Sequence, residues 1–162
     1  MNLADIRDYV VLPALKAINL AEPARVQLVL GTGGTESGGY NYLDQTTPGP
    51  GPAYGFWQME RFTHDDIWRS YLAYQPSAFR DALMQLAGHW RNDTIPEITV
   101  LHWNLRYAAA MCAVHYRRAK GALPAAGDAA GMAAYWKQVY NTPLGKGTIA
   151  KALPYFQEAC KL

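Results

Sequence analysis

Apolar residues recur at three- and four-residue spacing along most of the chain, the period of amphipathic helices. Leu3, Ile6 and Val10 mark a first such segment. Pro13 breaks it or opens a second turn, followed by Leu15 and Ile18. Pro23 suits a first helical position, and Val26, Leu28, Val29 and Leu30 carry the next helix toward Glu36. Gly31, Gly33 and Gly34 each cost that helix about 1 kcal/mol relative to alanine, which implies close packing or a bend there. Thr63 and Asp66 have the S/T-x-x-D form of a capping box ahead of Ile67, Trp68, Tyr71 and Leu72, with Asp65 and Asp66 as charges at a helix N-terminus. Pro76 opens a helix through Phe79, Leu83 and Leu86 that ends at Gly88.

The longest helical region is expected over residues 97–120, with Ile98, Leu101, Leu105, Ala108, Ala109 and Cys112 on one side. Arg117, Arg118 and Lys120 lie near its end, where cations suit the dipole. The run Ala108-Ala109-Ala110 is small enough to pass through the centre of a bundle. Asp128 can cap a helix through Tyr140, and Thr148 one through Cys160, in which Pro154 predicts a kink. Residues 38–55 lack a helical period. They are dense in Gly and Pro and read as a long ordered loop or a short β-hairpin. Tyr40, Tyr42 and Tyr54 within them favour a functional segment over a disordered one. With no repeats, heptads or linker, the expectation is one all-α domain over residues 1–162.

Composition narrows the function. Of the 162 residues 50% are hydrophobic, enough for a real core. A net charge of +2, from 15 basic and 13 acidic residues, is too balanced for a dedicated nucleic-acid binder. Two cysteines, Cys112 and Cys160, cannot form a dense disulfide framework, although a single bridge between them stays open. Cys112 otherwise reads as a small buried apolar residue. His64, His89, His102 and His115 are scattered and read as structural, so neither a metal nor a cofactor is expected. No apolar run approaches membrane-spanning length, and Asp5, Arg7 and Asp8 make the N-terminus unlike a signal peptide. Aromatics reach 12%, with 11 Tyr and 5 Trp. Ordinary core use accounts for most, including Trp90, Trp103, Trp136 and Tyr107. Tyr40, Tyr42, Tyr54 and Trp57, in or beside the Gly/Pro loop, are the candidates for stacking on sugar rings.

Four segments carry the candidate chemistry: Leu30 to Glu36-Ser37, Tyr54-Gly55-Phe56-Trp57-Gln58-Met59-Glu60, Asn104 to Ala109, and Ala134 to Tyr140-Asn141-Thr142. Each alone is weak. In this order, from about Ala24 to Thr142, they resemble the lysozyme-like superfamily of lytic transglycosylases and goose-type lysozymes. Residues 54–60 and 140–148 are closest to lysozyme-like proteins of tailed bacteriophages. The resemblance implies a helical lysozyme-like domain with the Gly/Pro loop or hairpin beside its cleft. It implies cleavage of the β-1,4 bond between N-acetylmuramic acid and N-acetylglucosamine in peptidoglycan. Glu36 would be the catalytic acid at a helix end, Gly55 to Met59 would line the cleft, Asn104 would open the central helix, and Tyr140-Asn141 would approach the acid.

The chemistry is consistent with those residue types. Glycoside cleavage needs a carboxylic acid still protonated near neutrality, and burial raises a Glu toward ~6. Leu28 to Leu30, Phe56, Trp57 and Met59 could supply the apolar wall, and Tyr140 could hydrogen-bond the carboxyl. Ser37, Gln58 and Asn104 are candidates to hold hydroxyl or acetamido groups, with Tyr54, Gly55, Trp57, Met59 and Asn141 as further substrate-binding positions. An inverting hydrolase needs a second carboxylate, for which Glu60, 24 residues after Glu36, comes first and Asp44 a distant second. A transglycosylase needs none, because the substrate's own C6 hydroxyl closes a 1,6-anhydro ring. Glu60 tilts the balance toward hydrolysis. Thr142-Pro143 departs from the family's usual Tyr-Asn-Ala-Gly, so a different cleft floor is expected there. The resemblance implies a monomer acting on the glycan strand, in a virion or an infected cell, beside other virion proteins or a pore-forming partner. The alternative is a virion structural or wall-binding protein that keeps the fold without turnover. A helical interaction module with chance matches would instead place Glu36 and Tyr140 far apart.

Overall fold

Residues 2–44, 51–88 and 94–162 are described by a computed structural model, mainly helical with one two-stranded antiparallel sheet among those residues. Helix α1 (Leu3–Asp5) continues through a π-helical stretch, Ile6–Val11, into α2 (Leu12–Ala17). Pro13 lies in the first turn of α2 and has no N–H for the Tyr9 carbonyl one turn back. The Nε–H of Arg106 donates to that carbonyl instead, at 3.0 Å. The proline therefore opens a turn without ending the helix.

Helix α3 (Pro23–Glu36) runs against α9 (Ile149–Ala159), and the glycine cluster is explained by that contact. A Cβ at Gly31 would collide with the buried ring of Phe156, and one at Gly34 would lie 3.1 Å from Tyr155. At Gly33 it would meet the Tyr40 ring, whose hydroxyl donates to the Leu30 carbonyl at 2.8 Å. Helix α9 stays helical across Pro154, and the Ala150 carbonyl that loses its donor belongs to an exposed residue.

Helix α4 (Arg61–Asp66) starts earlier than the Thr63–Asp66 box predicts and passes through a π-helical stretch, Ile67–Tyr71, into a 3-10 turn at Leu72–Tyr74. Thr63 is thus inside the helix and caps nothing. Asp65 and Asp66 lie at its C-terminal end and find partners elsewhere: Asp65 meets the His64 Nδ1 at 3.0 Å and Asp66 accepts from Arg118 at 2.6 Å. Helix α5 (Ser77–Leu86) opens after Pro76 and ends at Gly88, as expected.

The long region expected over 97–120 is two helices, α6 (Val100–Trp103) and α7 (Leu105–Arg118), broken at Asn104. Asn104 leaves the helical conformation and caps α7, its Oδ1 accepting from the Tyr107 N–H at 3.1 Å. Every residue of α7 from Tyr107 to Val114 is buried, so the alanine run does pass through the middle of the core. Helix α8 (Ala129–Val139) is capped by Asp128 and α9 by Thr148. One continuous apolar cluster joins these helices. No described helix is long and apolar enough to cross a membrane. Cys112 and Cys160 are both free thiols, so the bridge left open by the sequence is not formed.

Strands β1 (Ala53–Tyr54) and β2 (Met59–Glu60) pair in the register Ala53 to Glu60 and Tyr54 to Met59. The hairpin thus follows most of the Gly/Pro segment, of which residues 45–50 lie outside the described residues. Its turn needs a positive φ at Gly55, where a Cβ would strike the Leu101 carbonyl. Phe56 and Trp57 at the tip are buried in the core.

Candidate active site

The hairpin is pinned at both ends of its tip. The Trp57 indole donates to the Val29 carbonyl of α3 at 2.9 Å, and the Tyr140 hydroxyl, just past α8, donates to the Trp57 carbonyl at 2.7 Å. These bonds bring three chain segments around one cleft of about 610 Å³. Glu36 closes α3 on one side. Gln58, Met59 and Glu60 of the hairpin form another, and the turn from Asn141 to Gly147 forms the third, with Tyr140 and His115 below.

Glu36 is half-buried, and its Oε1 accepts from the Trp136 indole N–H at 2.8 Å. Burial pushes the Glu36 carboxyl up to about 7, against the Trp136 hydrogen bond, which favours the ionised form. A carboxyl held there is substantially protonated at neutral pH. Tyr140 stays protonated, since desolvation pushes its hydroxyl well up. The expected hydrogen bond from Tyr140 to the carboxyl is not the arrangement found. Tyr140 serves the Trp57 carbonyl, and the partner of Glu36 is Trp136, which as expected is also a core residue. Trp136 precedes Tyr140 by four residues, so one turn of α8 puts both rings toward the acid.

Of the other expected site residues, Gln58, Met59, Glu60 and Asn141 line this cleft with Glu36 and Tyr140. Gln58 keeps a positive φ of 45° and donates to the Gly55 carbonyl at 2.7 Å. Thr142, also on the cleft wall, has φ 66°, an outlier for a β-branched residue. Asn141 accepts from Lys137, whose ammonium also bonds the Gly145 carbonyl and so holds the wall turn. The turn is wound tightly enough that a Cβ at Gly147 would press on the Trp136 ring at 2.5 Å.

Several expected positions serve the fold instead. Ser37 is fully buried, donating to the Gly33 carbonyl at 2.6 Å and accepting from the Tyr40 N–H at 2.9 Å. Asn104 divides its amide between the α7 cap and the Leu86 carbonyl, at 2.6 Å. Gly55 shapes the turn. Trp57, at 1% exposed, and Tyr40, at 4%, present no face for a sugar. Leu28 to Leu30 and Phe56 belong to the core and not to the cleft wall, where Ala53, Met59 and Leu144 are the apolar contributors. Tyr54 is half-buried against the His102 ring, 4.8 Å between centroids, and Tyr42 is exposed. Asp44 pairs with His102 at 2.8 Å and does not line the cleft. Trp103, expected in the core, is 67% exposed. Trp90 and His89 lie outside the described residues.

Two features had only a faint sequence signal. His115 lines the cleft with its ring 4.8 Å from Tyr140, its Nε2 on the Val139 carbonyl at 3.2 Å and its buried Nδ1 without a partner among the described residues. Burial and the Arg118 charge hold it down to about 4, so it is neutral at pH 7. The other is Trp136, expected only as a core residue. Comparison of the chain with models of known families, with curated proteins and with solved structures returns no match.

Proposed function

We propose that the chain is a glycosidase that cuts the glycan strand of peptidoglycan at the β-1,4 bond between N-acetylmuramic acid and N-acetylglucosamine, with Glu36 as general acid. The observation that carries this is the placement of Glu36: a carboxyl at a cleft wall, fixed by one indole N–H and raised by burial to about 7, so that a substantial share stays protonated near neutrality. Such a group donates to the leaving glycosidic oxygen as the bond breaks. The order of the four motif segments supports the choice of substrate.

Glu60 is exposed on the same cleft and is the candidate base. In the hydrolytic course it takes a proton from water as that water attacks the anomeric carbon, and Glu36 delivers its own to the leaving sugar. In the transglycosylase course Glu60 has no part: Glu36 protonates the leaving oxygen and then, as carboxylate, takes the proton of the substrate's C6 hydroxyl as that oxygen closes on the anomeric carbon. The place of Glu60 on the cleft favours hydrolysis. Gln58 and Asn141 line the cleft, with the Gln58 amide nitrogen engaged by the Gly55 and Leu43 carbonyls and the Asn141 Oδ1 by Lys137, and Tyr140 acts through Trp57 by holding the hairpin. We read the biological setting as a bacteriophage enzyme for wall opening or lysis.

The test is digestion of purified peptidoglycan by wild type and Glu36→Gln, with mass spectrometry of the soluble products. Fragments from wild type alone support the proposal. Reducing ends identify a hydrolase, and products one water lighter a transglycosylase. Binding without fragments from either protein indicates a wall-binding or virion structural role instead.

A further inference from the structure

Glu60 belongs to two hollows. One is the cleft of Glu36; the other has a volume of about 580 Å³ and is walled by Pro52, Arg61, Phe62, Asp65 and Arg69. That size is in the range of ligand pockets. Phe62 is 79% exposed there, although a phenyl ring has no polar atom to be served by water. The charges around it carry no dominant sign. Glu60, Asp65 and Asp66 line it together with Arg61 and Arg69; Asp65 already meets the His64 Nδ1 at 3.0 Å and Asp66 is bound by Arg118 at 2.6 Å. A balanced ring of carboxylates and guanidiniums selects for no ion, but offers acceptors and donors to hydroxyl and amide groups. An open aromatic face among such groups suits a ligand with one apolar face and a polar perimeter, which is the surface of a pyranose ring.

We propose that this second hollow is a sugar-binding site for the same polymer, with Phe62 as its stacking platform, so that a glycan strand bound at Glu36 continues past Glu60 onto α4. This rests on the glycan-cleaving reading of the Glu36 cleft. It also replaces the buried Trp57 and Tyr40 with an aromatic ring that is free to stack.

The test uses peptide-free glycan oligomers of four and eight sugars, titrated calorimetrically into Glu36→Gln so that nothing is cleaved. The eight-sugar oligomer is expected to bind about tenfold more tightly than the four-sugar one, a gain of the size expected for covering one aromatic ring. Adding Phe62→Ala brings that ratio to about one, and Phe62→Trp restores it. An unchanged ratio in Phe62→Ala, or no gain with length in Glu36→Gln itself, overturns the proposal. Wild-type cleavage of long glycan strands is measured alongside. If cleavage occurs and the ratio ignores Phe62, only this site is wrong. If no strand is bound or cut, the glycan reading falls and this site with it.

Discussion

The indole N–H of Trp136 reaches across 100 residues of sequence to the Oε1 of Glu36, at 2.8 Å. Indole nitrogen can only donate, so the bond occupies a lone pair of Oε1 and leaves Oε2 as the better seat for the acid's proton. The bond opposes the burial that raises the carboxyl. Trp136→Phe keeps an aromatic ring in place and removes the donor. The Glu36 pKa is expected to rise further, read from the carboxyl carbon in an NMR titration. An unchanged or lower value contradicts this role.

Glu36 and His115 predict opposite pH dependences of stability. The Glu36 carboxyl, near 7 when folded and 4.5 as its ordinary value, binds a proton in the native state that the unfolded chain has released. Its contribution therefore falls as pH rises from about 4.5 to 7. Glu36→Gln removes that cost and should stabilise the protein at pH 8 by about 2 kcal/mol, after a discount for partial exposure, and by little at pH 4. Urea unfolding at the two pH values measures it.

His115 works the other way. Its folded value near 4 lies below the ordinary 6.5, so the unfolded chain binds the extra proton and stability is lost as pH falls from 6.5 toward 4. Between 4.5 and 6.5 the two groups cancel. In Glu36→Gln stability should thus rise with pH across this window, and in His115→Gln it should fall. Two parallel profiles would contradict the assignment.

The glycines of α3 are a packing device. Gly31→Ala gains helix propensity of about 1 kcal/mol but drives a methyl into the buried Phe156 ring. A net loss of about 2 kcal/mol is expected from denaturant unfolding. Gly34→Ala, with Tyr155 at 3.1 Å and partly exposed, should be near neutral.

What was legible in the sequence was local. Asp128 and Thr148 cap helices through atoms three residues away, so their spacing is sufficient to find them, whereas the cap at Asn104 was hidden inside a continuous apolar period over 97–120. The Thr63–Asp66 pattern has the same form but fails, because Asp66 is drawn to Arg118 on a distant helix. Glu36 at the end of an apolar helix was recognisable, as was its neighbourhood with Gln58, Glu60 and Tyr140. Which aromatic rings meet solvent was not. Trp57 and Tyr40 donate to carbonyls of α3 and are buried by that helix, whereas Phe62 and Trp103 face outward, and these are facts of tertiary packing. Trp136 was legible only as core, since its hydrogen bond depends on how α8 meets the end of α3.

The central claim is that Glu36 supplies the proton for glycan cleavage, and it is tested most directly by the pH profile of kcat on purified glycan strands. Wild type should lose activity along a limb near pH 7 as the acid ionises, and Glu36→Gln should be reduced by at least about 100-fold, within the usual range for loss of a general acid. Glu36→Gln with undiminished release of fragments, or a wild-type profile flat through pH 7, would contradict the account.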